Sequence, residues 1–203
     1  MNNKLFSILL STIFFLTFSC NDIDQTEERD TFTDPRDGHV YKTVQIGAQV
    51  WMAENLDYRT IDSSWYYNND SATYHIYGRL YTWNRAMSAA PPGWHLPSEA
   101  EWQTLIDSVG VRAGGKLKEA DTLHWSSPNT GATNESGFTA LPGGYRGGTG
   151  EFNLLGEIGY WWSTTLSNEP IAVSFVLVYN DSYNYFAYGY NETDGLSIRC
   201  IKD

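Results

Sequence analysis

"PPGWHLPSEAEWQTLI", residues 91–106, runs from a proline-glycine turn into a helix start that can be read residue by residue. Pro91, Pro92 and Gly93 end whatever helix precedes them, because proline offers no backbone N–H and glycine turns freely. Ser98 with Glu101 three residues later has the spacing of a capping box, in which each side chain satisfies an N–H left free by the first turn. Trp102, Leu105, Ile106 and Val109 then recur on one face. The pattern predicts a helix over 98–109 that buries Trp102, and it gives Glu101 and Trp102 structural roles.

Upstream, Leu80, Trp83, Ala86 and Met87 recur at helical spacing within "RLYTWNRAMSAA" and predict a second helix. "VYKTVQIGAQVWMAENL" (40–56) is two β-rich runs about Gly47-Ala48, an opening hairpin, and residues 63–78 form an aromatic, polar loop. After a Gly-rich break at Gly114-Gly115, strand and turn signals continue to the end in "GFTALPGGYRGGTGEF", "GYWWSTT", "IAVSFVLVY", "YNYFAYGY" and "LSIRCI". A hairpin, two helices and a long antiparallel half make an α+β protein.

The N-terminus puts Lys4 before an uncharged stretch, Leu5 to Phe18, that ends at Ser19-Cys20. Residues 1–19 read as an export signal, too short in its apolar core to span a bilayer. "LTFSC" resembles the lipobox of bacterial lipoproteins, which implies lipidation of Cys20; Phe18 is bulkier than that pattern prefers, so a plain secretory signal is the alternative. Residues 20–36, acidic and poor in apolar side chains, are expected to be a disordered tether, and 37–203 the folded domain. The chain carries 24 acids against 13 Lys and Arg, a net charge of −11, which argues against nucleic acid as a partner. With Cys20 acylated, Cys200 is left without a disulfide partner, so the core must hold the fold, and the 8 Trp, 14 Tyr and 9 Phe suit that task.

"IGAQVWMAENL", "YGRLYTWNRAM", "PPGWHLPSEAEWQTLI", "GGKLKE", "ESGFTALPGGYR", "YWWSTT" and "GLSIRCIKD" resemble, in order, the successive blocks of the Fibrobacter succinogenes major paralogous domain family, over about residues 37–203. "HLPSEAEW" is also similar to a helix of the formylglycine-generating enzyme superfamily. That resemblance implies a C-type-lectin-like fold: two helices packed on a twisted antiparallel sheet, with a loop-rich binding face. The enzymes resembled bind copper through two cysteines, whereas here Cys200 stands alone, in a strand that suits a buried thiol. His39, His75, His95 and His124 lie in four segments without ligand-like spacing. No catalytic residue, metal or cofactor is therefore assigned. "GGYRGGTG" lacks the Gly-Lys-Ser/Thr of a phosphate loop and reads as a hairpin bend.

"YNDSYNYFAYGYNETD" (179–194) holds five Tyr, three Asn, two Asp and one Ser without a Lys or Arg, the composition of adaptable binding surfaces. The same residues would make an ordinary Tyr-rich hairpin turning at Asn180-Asp181, with Asn184, Phe186, Tyr188 and Tyr190 on one face and Tyr183 and Tyr185 on the other. Phe186 is expected to point inward. The run, set between "YWWSTT" and "LSIRC", also resembles the variable segment of retroelement-diversified C-type-lectin-like proteins, although "AVSFVLV" departs from their pattern.

The candidate binding residues are thus Tyr179, Asn180, Asp181, Tyr183, Asn184, Tyr185, Tyr188, Tyr190 and Asn191, and the expected partner is an extracellular glycan or protein. The expectation is a lipid-anchored binding module on the bacterial outer membrane or cell surface. A carbohydrate-active or metal-dependent oxidative enzyme, and a purely structural envelope protein, are the alternatives. Cys20→Ser should leave the protein unlipidated and release it from the membrane fraction; membrane association equal to wild type, measured by fractionation, would refute the anchor.

Overall fold

The structure, a computed structural model, describes residues 30–168 and 171–203. The chain runs through β1 (Thr31–Thr33), β2 (Val40–Ile46), β3 (Gln49–Met52), β4 (Ser64–Trp65), α1 (Ser71–Tyr74), β5 (Leu80–Tyr81), α2 (Trp83–Ala89) and β6 (Trp94–His95). It continues through α3 (Glu99–Val109), α4 (Ala113–Leu117), β7 (Tyr145–Arg146), β8 (Phe152–Asn153), β9 (Ile158–Asn168), β10 (Ile171–Val178), β11 (Asn184–Asn191), β12 (Leu196–Ser197) and β13 (Ile201–Lys202). One sheet has the order β1-β2-β3-β13-β6, a second β11-β10-β9-β12-β5-β4, and β7 pairs with β8. Pairing between these strands is antiparallel except for β12 beside β9. Helices with antiparallel-rich sheets make this an α+β fold, as expected.

The opening hairpin forms as read, with Ile46 opposite Gln49 across the Gly47 turn. The helix of residues 98–109 starts as its capping box dictates: the Ser98 hydroxyl accepts from the Glu101 N–H, and the Glu101 carboxylate accepts from the Ser98 N–H. Trp102 and Leu105 are its buried residues. The Trp102 ring stacks on Phe175 at 4.4 Å and 9° and lies 4.8 Å from Trp51.

Four expectations need correction. Residues 30–36 are ordered rather than part of a tether, since β1 pairs with β2, Phe32 packs 5.1 Å from Trp94, and the buried Asp34 accepts from Arg36. Arg36 in turn donates to the Ala89 carbonyl at the end of α2. The acidic average of the segment conceals these three anchoring residues; residues 1–29, with the signal, Cys20 and the rest of the tether, lie outside the described residues. Leu80 belongs to β5 and Met87 is 48% exposed, so the buried face of α2 is Trp83, Ala86 and Ala89. Gly114-Gly115 is not a break but the middle of α4. The "LSIRCI" strand is two strands: β12 belongs to one sheet and β13 to the other.

Two apolar clusters fill the interior. Trp162, Ala172 and Val176 join Tyr41, Tyr81, Trp83 and Ile198 in one, while Trp161, Phe175 and Leu177 join Trp51, Trp102 and Phe138 in the other. Adjacent side chains on a strand point to opposite faces, so the consecutive Trp161 and Trp162 show that the centre of the larger sheet is buried on both sides. Between β12 and β13, residues 198–200 cross from sheet to sheet and accept backbone hydrogen bonds from Leu56 and Met52. Arg199, fully buried in this crossing, donates to the Phe138 carbonyl at 2.7 Å, to the Met52 carbonyl at 3.2 Å and to Asn55 Oδ1 at 2.8 Å.

The contrast between cap and core can be measured. Trp102→Ala should cost about 3 to 5 kcal/mol, the range for truncating a buried aromatic, and Ser98→Ala about 1 kcal/mol through the lost cap. Urea midpoints at unchanged slope give both values; equal costs would show that the Trp102 ring is not a core element.

Candidate functional site

The run 179–194 supplies the turn and second strand of a hairpin with β10, and that strand, β11, is an outer strand of the larger sheet. Register decides which side chains it offers. Phe186 lies opposite Phe175, 5.9 Å away edge to face, and packs on the Trp102 side, so it points inward as expected. Tyr185 lies opposite Val176 and so takes the other side. Tyr188 returns to the helix side, where its hydroxyl donates to Glu99 in the first turn of α3.

Then the alternation breaks. Ala172 faces Tyr190 while Ser174 faces Ala187, a register shift that puts one additional residue into β11. Such a bulge turns the residues beyond it over. Tyr190 therefore does not share a face with Tyr188; it is half-buried against Tyr145 and Tyr160, at 5.5 and 4.9 Å between ring centroids. Burial, reinforced by the neighbouring Tyr160 hydroxyl, pushes the Tyr190 hydroxyl pKa up. Tyr179 is half-buried as well, and its backbone is taken by Glu157 and Thr130. These two of the nine expected residues are packing residues. Tyr183, Tyr185 and Tyr188 are 53%, 45% and 52% exposed, with Asn180 and Asn191 also exposed and Asp181 and Asn184 partly so.

The tip is held from beneath. Gly115 N–H donates to the Ser182 carbonyl at 2.8 Å, and a Cβ on Gly114 would come 2.2 Å from the Tyr183 carbonyl oxygen. Only glycine lets the two backbones approach this closely. Lys118, one turn further and fully buried, donates to the carbonyls of Thr130, Val178 and Asp181 at 3.2, 3.0 and 2.8 Å. Burial of its ammonium lowers its pKa to about 8. The Tyr185 hydroxyl donates to the Asp181 carboxylate, which also accepts from the Tyr183 N–H, and these bonds keep the Asp181 pKa below its usual value. Lys118 was not among the residues expected to matter; its signal in "GGKLKE" is a lysine within a run whose glycines and leucine are all buried.

The histidines stay apart. His95 bonds Asp203 through Nδ1 and Glu101 through Nε2, on opposite edges of its ring, so one cation cannot join all three. Burial lowers the His95 pKa, but the hydrogen bonds to Glu101 and Asp203 outweigh it, and the ring titrates above its usual range. His124 bonds Glu119. Among the described residues no group of three or more His, Cys, Asp or Glu is placed to hold a metal ion. Cys200 is buried, and burial raises its thiol pKa to about 12.

An α+β domain with an exposed aromatic hairpin at a sheet edge is the class that this geometry defines. The family model of the Fibrobacter succinogenes major domain matches residues 44–202, and the chain belongs to that family. No curated protein and no solved structure matches it.

Lys118→Met would remove the donors to three part-buried carbonyls, so amides of the 179–183 turn should exchange faster with solvent, about tenfold for each 1.4 kcal/mol of local stability lost. A pH series isolates the ammonium. With a folded pKa near 8 against about 10.4 when unfolded, the unfolded chain binds more protons between these values, so stability should rise with pH across that window. The Met variant should show a smaller rise; an equal rise would mean that Lys118 is not the buried cation responsible.

Proposed function

We propose that this protein is a lipid-anchored module of the bacterial outer membrane or cell surface that binds an extracellular glycan or protein through the hairpin 179–194, on a C-type-lectin-like scaffold. One observation carries the reading: Tyr183, Tyr185 and Tyr188 stand exposed within six residues, on a turn and edge strand that α4 and Lys118 hold in place. Exposed rings on a preorganised backbone give contact area at low entropic cost, and the flanking Asn180, Asp181 and Asn191 supply short hydrogen-bonding groups. Because Tyr185 and Tyr188 lie on opposite sides of β11, the surface is a ridge, suited to a partner that receives it in a groove. The anchor rests on Lys4, the uncharged stretch and Cys20, and the scaffold on the resemblance of "HLPSEAEW" and on the capped helix that it forms. Adenine-directed diversification of these codons would account for the Tyr, Asn, Asp and Ser composition.

The test is a screen of wild type on glycan and surface-protein arrays, followed by Tyr183→Ala and Tyr188→Ala. Each variant should keep its unfolding midpoint within about 0.5 kcal/mol, as for exposed sites, yet lose about 2 kcal/mol or more of binding if its ring is an anchor. A ligand that both variants retain at wild-type affinity would place recognition elsewhere.

A further inference from the structure

A second concavity lies outside the hairpin. It is a cleft of about 490 Å³, walled by residues 42–44 of β2, Ala53 and Glu54 after β3, Ile76, Glu119 and the loop 134–141. That volume falls within the range of about 300 to 1,000 Å³ typical of small-ligand sites. None of its residues belongs to 179–194.

Its chemistry is selective. Glu54, Glu119 and Glu135 come from three separate segments, and the cations beside them are Lys42 in the lining and Lys116 behind Glu135. Each has a partner: Glu54 lies 3.3 Å from Lys42 and Glu135 3.0 Å from Lys116, and Glu119 is hydrogen-bonded to His124 Nδ1 at 2.8 Å. A carboxylate has about four acceptor positions, so all three retain capacity. Between them the wall is aliphatic, with Val44, Ile76 and Leu141, and Ile76 is 47% exposed. No aromatic ring lines the cleft.

The wall is also set in advance. Asn134, Gly137 and Thr139 all have positive φ, and Thr139, at 53°, is a β-branched residue in a region that such residues rarely enter. The Thr139 N–H donates to Asn134 Oδ1 at 2.8 Å, and Arg199 holds the preceding Phe138 carbonyl. Strained backbone of this kind clusters at active sites, ligand clamps and switch regions.

We infer that the cleft binds an alkyl cation: an ammonium or guanidinium group on an aliphatic stem, the chemistry shared by polyamines and by lysine or arginine side chains. The stem covers Val44, Ile76 and Leu141 as long cationic side chains cover apolar surface, and the head donates to the open carboxylate positions. The inference is independent of the tyrosine ridge.

Titration calorimetry on the full-length protein in detergent tests it, with spermidine, acetyl-Ala-Arg-Ala-amide, acetyl-Ala-Lys-Ala-amide and the neutral acetyl-Ala-Gln-Ala-amide as probes. At least one cationic probe should bind with one-to-one stoichiometry and the glutamine peptide should not; preference for spermidine identifies a free polyamine, and preference for a peptide a basic side chain. The E119Q/E135Q double variant should weaken binding about tenfold or more, while Tyr183→Ala should leave it unchanged. Ile76→Ala, at a half-exposed position, should weaken it too and covers the case in which the double variant proves less stable by thermal melting. Equal binding of the glutamine peptide and the cations, no binding of any cation, or wild-type affinity in both the double variant and Ile76→Ala would overturn the inference.

Discussion

The buried guanidinium of Arg199 organises the interior. Its hydrogen-bonding partners are two well-placed carbonyls and the Asn55 side chain, which also accepts from the Trp161 indole and donates to the Tyr77 carbonyl. The ring of Phe138 lies 4.4 Å beneath it, a cation–π contact. A buried charge is tolerated only when it is hydrogen-bonded, and here the penalty is visible as a guanidinium pKa drawn down by burial to about 9. In exchange, segments near residues 52, 55, 77, 138 and 161 are fixed to the strand crossing. An apolar side chain of equal size would fill the volume but take this donor from the Phe138 and Met52 carbonyls, and an acceptor left unpaired costs about 1 to 3 kcal/mol.

Both candidate surfaces depend on that centre. The crossing at 198–200 places β12 against β9, and β9 with β10 carries β11 to the edge of the sheet. The loop whose carbonyl Arg199 holds becomes, one residue later, the wall of the cleft. The segment 114–119 serves both sides: its glycines and Lys118 support the hairpin tip, and Glu119 faces the cleft.

What could be read from the residues was local. The capping box, the inward Trp102, the Gly47 hairpin and the inward Phe186 all follow from interactions within a few positions or from strict periodicity. What escaped was set by distant partners. Phe32 and Asp34 gain their order from Trp94 and Arg36, contacts that a composition average does not register. Leu80 fits a helical stripe equally well, and the pairing of β5 with β12 and β4 decides against it. Gly114 and Gly115 look like a chain break until the carbonyls of Tyr183 and Gly131 are seen pressed against them. The bulge that turns Tyr190 inward leaves no mark in the alternation, so the candidate surface was legible as a stretch but not as a set of faces.

The indole cluster gives the molecule an optical signature. Trp51 and Trp102 lie 4.8 Å apart at 35°, and Trp102 and Trp161 6.5 Å apart at 48°. Chromophores this close and skewed share their excitation, and the resulting near-ultraviolet circular dichroism exists only while the rings keep a fixed mutual angle. A state that kept its strands and helices but loosened its packing would lose that band while its far-ultraviolet spectrum persisted. The interior thus reports on its own rigidity without any added label.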